Sequence, residues 1–323
     1  MDIKFGFGKP LTRQKPAFLS RPVVRRIVYY RYFYLLLLPA AILYIVFSYI
    51  PMYGAVLAFK DFHFKKGILG SPWTSMHGFQ HFHDLLDDAS FHKAFWNTLI
   101  LSLGRIIFQF PVPIVLAILI NEIRRQKFRR FVQTVFTFPH FVSWVVVAGL
   151  AFNILADAGV LNQIIVALGG EKINLLTQAS TFRPLLFVTD SWKEAGWLTI
   201  IYLAAISGIN PSLYEAAIVD GANRFQLIRH ITLPAIKSVI GILLILQIAN
   251  SFSYGFDQIF NLYNPAVYDV ADTIDTYVYR RSFVSGLDFG TSTAIGLFKS
   301  AISLTLLFSA NVLVRRGTGK GLY

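Results

Sequence analysis

Two long apolar stretches of this sequence each contain a row of polar side chains whose spacing would place them on one face of a helix. In both rows the residues recur at i, i+3, i+4 and i+7. The rows are Gln247, Asn250, Ser251 and Tyr254 in one stretch, and Asp190, Lys193, Glu194 and Trp197 in the other. A charged group within hydrocarbon costs roughly 2.5–3.5 kcal/mol on insertion scales, so such residues usually face a bundle interior or a water-filled cavity. The spacing therefore predicts a polar pathway between helices.

Two more charged residues, Arg105 and Lys299, lie in other apolar stretches. Counted inward from the external end at about 1.5 Å per residue, most of these polar positions lie roughly 5–20 Å deep, and this common depth favours a shared aqueous pathway. A structural role stays open, because Lys193 could pair with Asp190 or Glu194 on its own helix and the amides could bond across helices. We find no convincing catalytic group among them, so no catalytic residue is predicted.

The elements that must position these residues are membrane-spanning helices. Crossing about 30 Å of hydrocarbon takes about 20 helical residues, and six stretches of the 323-residue chain are long and apolar enough. They are Phe33–Tyr53, Phe95–Ile120, Phe131–Leu155, Arg183–Ser207, Ala235–Gly255 and Thr293–Val314. Because helices satisfy their own backbone hydrogen bonds in lipid, the predicted fold class is all-α, a polytopic membrane bundle of six transmembrane helices.

The formal net charge is +13. Membrane topology explains the distribution of the basic residues better than nucleic-acid binding does, since these residues belong to no recognised nucleic-acid-binding module. Lysine and arginine concentrate before the first span and after the second, fourth and sixth. The positive-inside rule then places both termini in the cytoplasm. We expect residues 1–32 to be a basic, loosely ordered cytoplasmic tail, and residues 33–323 to form the transmembrane domain. The chain has no cysteine, so disulfides are excluded.

The cytoplasmic connection between the fourth and fifth spans, residues 210–234, has the composition of a helical hinge. Asn210 and Pro211 suit a helix cap followed by a first helical position. Gly221 can adopt the backbone that ends one short helix and begins another. Pro234 is expected to limit the second short helix before the fifth span. The sequence therefore predicts a bent, polar segment that a partner protein could push.

This segment resembles the EAA loop of ABC-importer permeases, in which Glu-Ala-Ala is followed by glycine and then by Ile-x-Leu-Pro; here the two parts are Glu215–Ala217 with Gly221, and Ile231–Pro234. The resemblance to the carbohydrate-uptake, LplB-like branch extends over nearly everything after residue 30. It rests on further stretches at residues 51–54, 58–62, 69–73, 139–146, 192–194, 264–265 and 271–280. It implies a type I importer permease of MetI-like fold, with a core of about residues 91–314, in a bacterial cytoplasmic (inner) membrane.

The resemblance also implies partners and roles. The partners would be a second homologous permease, two ABC ATPase subunits, an extracytoplasmic solute-binding protein, an oligosaccharide and the lipid bilayer. The residues it assigns to ATPase coupling are Glu215, Ala216, Ala217, Asp220, Gly221 and Pro234. No Gly-x-x-x-x-Gly-Lys-Ser/Thr sequence occurs in the chain, so ATP and Mg are expected on the separate ATPases and this chain is expected to carry no cofactor and no enzymatic activity of its own.

The substrate stays open at this point. Arg105, Lys193 and Lys299 favour an anionic sugar such as alginate or another oligouronide, but Asp190 and Glu194 could neutralise much of that field. Amide groups and aromatic faces, as in the row from Gln247 to Tyr254, suit hydroxylated rings. The alternatives are a permease for neutral oligosaccharides and an ion-coupled secondary transporter that uses Asp190, Lys193 and Glu194.

Two segments expected to be external contain further candidate binding residues. His77 and His81 share a helix face at i, i+4, a spacing compatible with metal binding, but nothing completes a coordination sphere, so no metal site is predicted. The last external segment, roughly residues 256–292, combines aspartates and tyrosines. We expect it to help dock the solute-binding protein.

Overall fold

The computed structural model describes residues 22–253, 255–284, 286, 288–319 and 321. In that part of the chain most residues are helical, and the extended backbone forms only an isolated bridge between Lys60 and Trp73. The helices are α1 Pro22–Tyr29, α2 Arg31–Tyr44, α3 Ile50–Met52, α4 Gly67–Gly70, α5 Gln80–Asp87, α6 Ala89–Gly104, α7 Pro111–Asn121, α8 Gln126–Thr137, α9 Trp144–Leu155, α10 Val160–Ala167, α11 Ala179–Ser207, α12 Pro211–Val219, α13 Arg224–Leu227, α14 Leu233–Asn250, α15 Phe256–Leu262, α16 Tyr268–Ala271, α17 Ile274–Tyr279 and α18 Phe289–Thr318.

Within the described residues, five helical segments are long and apolar enough to cross a membrane. They are Arg31–Phe59, Ala89–Asn121, Trp144–Ala167, Arg224–Asn250 and Phe289–Gly317. A sixth candidate is α11 together with α12, which meet at a bend of 70°. The predicted all-helical membrane fold is therefore confirmed, with six spans when the bent pair is counted as one.

The chain divides into two compact units, Met1–Val56 and Leu57–Tyr323. In the first unit, α1 runs from Pro22 to Tyr29 and the first span starts immediately afterwards, at Arg31. The expectation of a loosely ordered tail up to residue 32 is thus wrong for residues 22–32, which are helical because apolar and basic residues alternate here at helical spacing. Residues 1–21 lie outside the described part of the chain.

In the second unit, α11 is the central element of the core. Phe182 and Leu186 pack in a cluster with residues of α6, α9, α15 and α16, and Tyr202 packs in another with residues of α7 and α14. Gly196 lets α11 approach α8 closely, because a Cβ at this position would overlap the carbonyl oxygen of Phe136. The charged residues of α11 are therefore held within a tightly packed helix.

The predicted third span, Phe131–Leu155, is not one continuous helix. It comprises the end of α8, a 3₁₀ turn at Phe138–Phe141, extended backbone at Val142 and Ser143, and α9. Pro139 lacks the N–H that would continue α8, and Ser143 caps α9 by accepting a hydrogen bond from Val146 N. In this region the helical segment that is long and apolar enough to cross a membrane is Trp144–Ala167, which begins farther along the chain than predicted.

The expectation for Pro234 also needs correction. α13 continues through a π-helical turn at Ile228–Thr232 into α14, so the second short helix and the fifth span form one segment from Arg224 to Asn250. Pro234 stands in the first turn of α14, where its missing N–H costs little. The wider π turn accommodates the proline without ending the helix.

Candidate functional site

A cavity of about 310 Å³ opens between the two polar rows of the sequence. It is bounded by the end of α6 with the π turn after it, by α11 and by α14. Its lining residues are Ser102, Arg105, Ile106, Phe110, Glu194, Trp197, Leu198, Tyr202, Leu243, Leu246, Gln247, Asn250 and Ser251. The structure thus brings Arg105, Glu194, Gln247, Asn250 and Ser251 together, as the common-depth argument predicted.

Arg105 begins a π-helical turn, Arg105–Gln109, inside the second span. Its side chain is almost completely buried, with Nε lying 3.6 Å from Oδ2 of Asp190 on α11. Its Nη2 donates a hydrogen bond of 2.9 Å to Oε1 of Gln258. Gln258 Nε2 in turn donates to Leu186 O at 2.7 Å and to Thr189 Oγ1 at 2.9 Å. A buried arginine at the cavity is thereby fixed by groups from α11 and α15.

Lys193 and Glu194 form a second buried ion pair, with Lys193 Nζ 2.9 Å from Glu194 Oε1. Lys193 also donates to the backbone carbonyl of His140 at 2.9 Å. The His140 Nδ1–H donates to Glu194 Oε2 at 2.7 Å, and the His140 ring stacks on Trp197 with centroids 4.7 Å apart and planes 7° from parallel. The break between α8 and α9 therefore contacts two residues of the cavity wall, Glu194 and Trp197, through His140.

The wall carries balanced charge. Two buried cations, Arg105 and Lys193, each lie beside a carboxylate, Asp190 and Glu194 respectively. Unpaired charges in such surroundings would be costly. The structural pairing of Lys193 with Glu194, left open by the sequence, is present, and it coexists with the position of Glu194 on the cavity.

The remaining predicted pathway residues lie elsewhere. Asp190 and Lys193 do not line this cavity, and Asp190 instead borders a small space next to it. Lys299 is outside the lining and pairs with Asp275 of α17 at 2.5 Å. Tyr254 lies outside the described residues. Lys299 pairs with this carboxylate because α17, in the segment between the fifth and sixth spans, packs against α18.

Sequence reasoning missed two polar residues of this region as functional candidates, Gln258 and His140. Gln258 was assigned to an external loop, and only a prediction that α15 packs against α11 could have found it. His140 was noted within a family motif but given no role. Its position immediately after a proline inside an apolar stretch was the available signal, because broken helices at membrane depth line cavities or lie buried in protein.

The segment that resembles an EAA loop is an exposed hinge. Asn210 Oδ1 accepts a hydrogen bond from Ser212 N and starts α12, and Gly221 ends the turn with φ of +82°. Tyr214 OH lies 2.9 Å from Thr232 Oγ1 and ties α12 to the π turn. Glu215 is exposed. The predicted cap and the predicted glycine conformation are therefore confirmed.

Ala217, Asp220 and Gly221 border a hollow of about 280 Å³ between α12 and α13. The apolar side chains around it stay uncovered in this chain: they are Leu213, Ile218, Val219 and Phe225. An exposed apolar surface beside exposed carboxylates is the character of a protein-binding site.

Asp88 and Asp288, which immediately precede the second and sixth spans, are joined through Arg281. Its guanidinium lies 3.1 Å from Asp88 Oδ2 and 3.0 Å from Asp288 Oδ2, and Tyr277 OH donates to Asp88 at 2.6 Å. Burial opposes ionisation of both carboxyls, but hydrogen bonds and the Arg281 charge outweigh it and hold both pKa values below their usual range. For Asp88 the hydrogen bonds come from the Tyr277 hydroxyl and the N–H groups of Phe91 and Ser90, and for Asp288 they come from Thr291. Asp288, one of the aspartates in the segment expected to dock the solute-binding protein, is thus already paired within the chain.

Comparison with known proteins identifies the kind of molecule to which this site belongs. The profile of the family described as "Binding-protein-dependent transport system inner membrane component" matches residues 109–318. The chain belongs to this family. The permease is therefore a multi-pass inner-membrane component of a transport system. This confirms the resemblance drawn from residues 210–234, called the coupling segment below.

Two curated relatives align with nearly the whole permease. The "Polygalacturonan/rhamnogalacturonan transport system permease protein YteP" of Bacillus subtilis (strain 168) is 46% identical over 299 residues, with 92% of each chain covered. "Protein LplB" of the same organism is 42% identical over 294 residues, with 91% of each chain covered.

A solved structure agrees in fold. A chain of the "bacterial alginate ABC transporter in complex with alginate pentasaccharide-bound periplasmic protein" superposes with a TM-score of 0.84 at 40% identity, covering 92% of the permease and 99% of that chain. The predicted type I importer fold is confirmed by this similarity.

Proposed function

We propose that the permease is a transmembrane subunit of an ATP-driven ABC importer for anionic oligosaccharides, with oligouronides as the substrate class. The observation that carries the proposal is the cavity between α6, α11 and α14, whose wall combines an arginine, a carboxylate, two amide side chains and an indole. Hydrogen-bonding groups suit sugar hydroxyls, and aromatic faces suit the apolar faces of pyranose rings. The relatives whose names specify polygalacturonan and alginate handle acidic sugars.

Charge in the cavity is compatible with an acidic sugar without requiring one. The pairing of Lys193 with Glu194 and of Arg105 with Asp190 removes the net negative field that would repel a uronate. Arg105 remains the cation on the lining, and guanidinium groups bind carboxylates strongly. A neutral oligosaccharide is the alternative within the same class, since the wall has no net positive charge.

Energy would come from separate ATPase subunits that bind ATP and Mg. The exposed apolar surface and Glu215 on the coupling segment would dock on one of them, while a second permease would complete the translocation path. ATP binding would shift the spans from an inward-open to an outward-open arrangement only if the ATPases bind the two states with different affinity. A solute-binding protein would deliver the sugar to the external face, and both termini would lie in the cytoplasm.

Uptake by the assembled importer in proteoliposomes tests the substrate proposal. The two probes are trigalacturonate and its methyl ester, which has the same skeleton without charge. We expect ATP-dependent accumulation of trigalacturonate and at least about tenfold lower uptake of the ester, since a lost charge pairing of about 1.4 kcal/mol gives that ratio. Preference for the ester would favour the neutral-sugar alternative. Uptake by the permease alone that depends on an ion gradient would favour a secondary transporter.

A further inference from the structure

We infer that His140 is a positioning residue that fixes Trp197 and Glu194 as one sugar-binding wall, on which a pyranose ring stacks against the indole while its hydroxyls donate to the carboxylate. This inference rests on the proposed function and extends it to a specific subsite. It starts from the interruption between α8 and α9, where the chain is not helical at Val142 and Ser143. Such interruptions at membrane depth occur where the backbone is buried in protein or lines a cavity.

The imidazole of His140 stacks on one face of the Trp197 indole. The two rings are nearly parallel, with planes 7° apart and centroids separated by 4.7 Å. Phe141 meets the same indole edge-on at 6.2 Å. Even so, Trp197 keeps 43% of its surface exposed and borders the cavity. A ring braced on one side and open on the other is a platform for a flat apolar surface, such as the C–H face of a sugar ring.

The carboxylate of Glu194 is fixed at both oxygens. Oε2 accepts from His140 Nδ1 and Oε1 accepts from Lys193 Nζ. An ionised carboxylate offers about four acceptor positions, so these two bonds leave capacity for two sugar hydroxyls. Lys193 compensates the charge, and it is in turn held by the backbone carbonyl of His140. The carboxylate can thus serve as an acceptor for hydroxyls in a low-dielectric wall.

These contacts give His140 three roles in one position: its ring supports the indole, its N–H aims the carboxylate, and its carbonyl anchors the neutralising lysine. Trp197 and Glu194 are three residues apart on α11 and so lie on the same helix face. A ligand that uses both must present an apolar face and neighbouring hydroxyls together. A pyranose ring has this combination, whereas an amino acid or an inorganic ion does not.

Two substitutions separate these roles. His140→Phe retains a ring for stacking and loses the hydrogen bond to Glu194. His140→Asn retains an amide N–H for Glu194 and loses the ring. The matched control is His83→Phe, which makes the same change at an exposed histidine of α5 whose recorded partner is Asp87.

The measurement is sugar-stimulated ATPase activity of the assembled importer with its solute-binding protein loaded with trigalacturonate. We expect His140→Phe to raise the KM for trigalacturonate about tenfold, while the rate at saturating sugar stays within about twofold. A residue that only positions the binding wall changes the affinity for sugar and leaves the maximal rate nearly unchanged. His140→Asn should raise KM about threefold or more, and His83→Phe should leave it unchanged.

A double-mutant cycle shows whether His140 acts through Glu194. In a Glu194→Gln background, His140→Phe should raise KM by no more than about twofold, since coupled residues are not additive. Full additivity of the two substitutions would overturn the inference, as would a KM for His140→Phe equal to that of the control. If His140→Phe does not assemble, an unchanged KM for His140→Asn overturns it instead. Failure of the wild-type importer to respond to trigalacturonate would refute the proposed substrate, which is a distinct result.

Discussion

Gly255 is the position at which a single methyl group should disturb the cavity most directly. It caps α15 with φ of +93°, a left-handed conformation. A Cβ added here would overlap the guanidinium of Arg105. Gly255→Ala therefore has two effects: it strains the backbone, and it pushes Arg105 away from Gln258.

Both effects have known magnitudes. The left-handed conformation costs a non-glycine residue about 1–2 kcal/mol. Loss of a hydrogen bond from a charged donor, here the 2.9 Å bond from Arg105 to Gln258, costs about 1.5–3 kcal/mol. The sum predicts a decrease in the free energy of unfolding of about 2.5–5 kcal/mol. At about 2–4 °C per kcal/mol, the apparent Tm should fall by roughly 5 °C or more.

The assay is thermal unfolding of the purified complex, followed by sugar uptake in proteoliposomes. Gly149→Ala is the matched control, because Gly149 lies inside α9 with nothing within 4 Å of an added Cβ; alanine there should leave Tm unchanged or raise it. We expect Gly255→Ala to lower both Tm and uptake. Equal Tm values for the two alanine variants would refute the close contact between Gly255 and Arg105.

Three further predictions address the segment of residues 210–234, the ion pairs of Arg281 with Asp88 and Asp288, and the last span. Glu215→Lys should reduce uptake and sugar-stimulated ATPase activity at least about tenfold while the complex still purifies intact; normal values would argue against a role in coupling. Because Asp88 and Asp288 have lowered pKa values despite burial, their stabilisation is complete above about pH 3.9 and is lost as the pH falls through the folded values. An acid titration of Tm should therefore show a smaller loss in Arg281→Gln than in wild type, and identical losses would contradict this linkage. Lys299→Met should lower Tm and leave KM for sugar within about twofold; a large rise in KM would return Lys299 to the substrate pathway.

The lengths of the apolar stretches predicted the helical fold, and periodicity predicted the part of the cavity wall that Glu194, Trp197, Gln247, Asn250 and Ser251 form. A 3.6-residue period places the members of each row on one face of its own helix, but it does not determine which helices meet, and Asp190 and Lys193 of the second row do not line the cavity. The start of α12 was equally predictable, since an Asn210 side chain and a following proline act locally.

The sequence-based predictions are wrong where packing between distant segments of the chain determines the local structure. Lys299 pairs with Asp275, a residue 24 positions earlier, and no periodic pattern indicates that the external segment folds onto the last span. Pro234 was expected to limit a helix and Pro139 was placed inside a continuous span, yet Pro139 lies at a break between two helices and Pro234 is accommodated after a π turn. The difference depends on the surrounding backbone, which a single sequence does not describe.

The central claim, that the coupling segment transmits force from a separate ATPase, is tested most directly by cross-linking. The chain has no cysteine, so Ala217→Cys introduces its only thiol, at the hollow between α12 and α13. A thiol-to-amine cross-linker applied to inside-out membrane vesicles should join this residue to the ATPase subunit, with a yield that changes when ATP is added. A thiol that reacts only from the external side, or a fully active importer that gives no cross-link to the ATPase, would contradict the account.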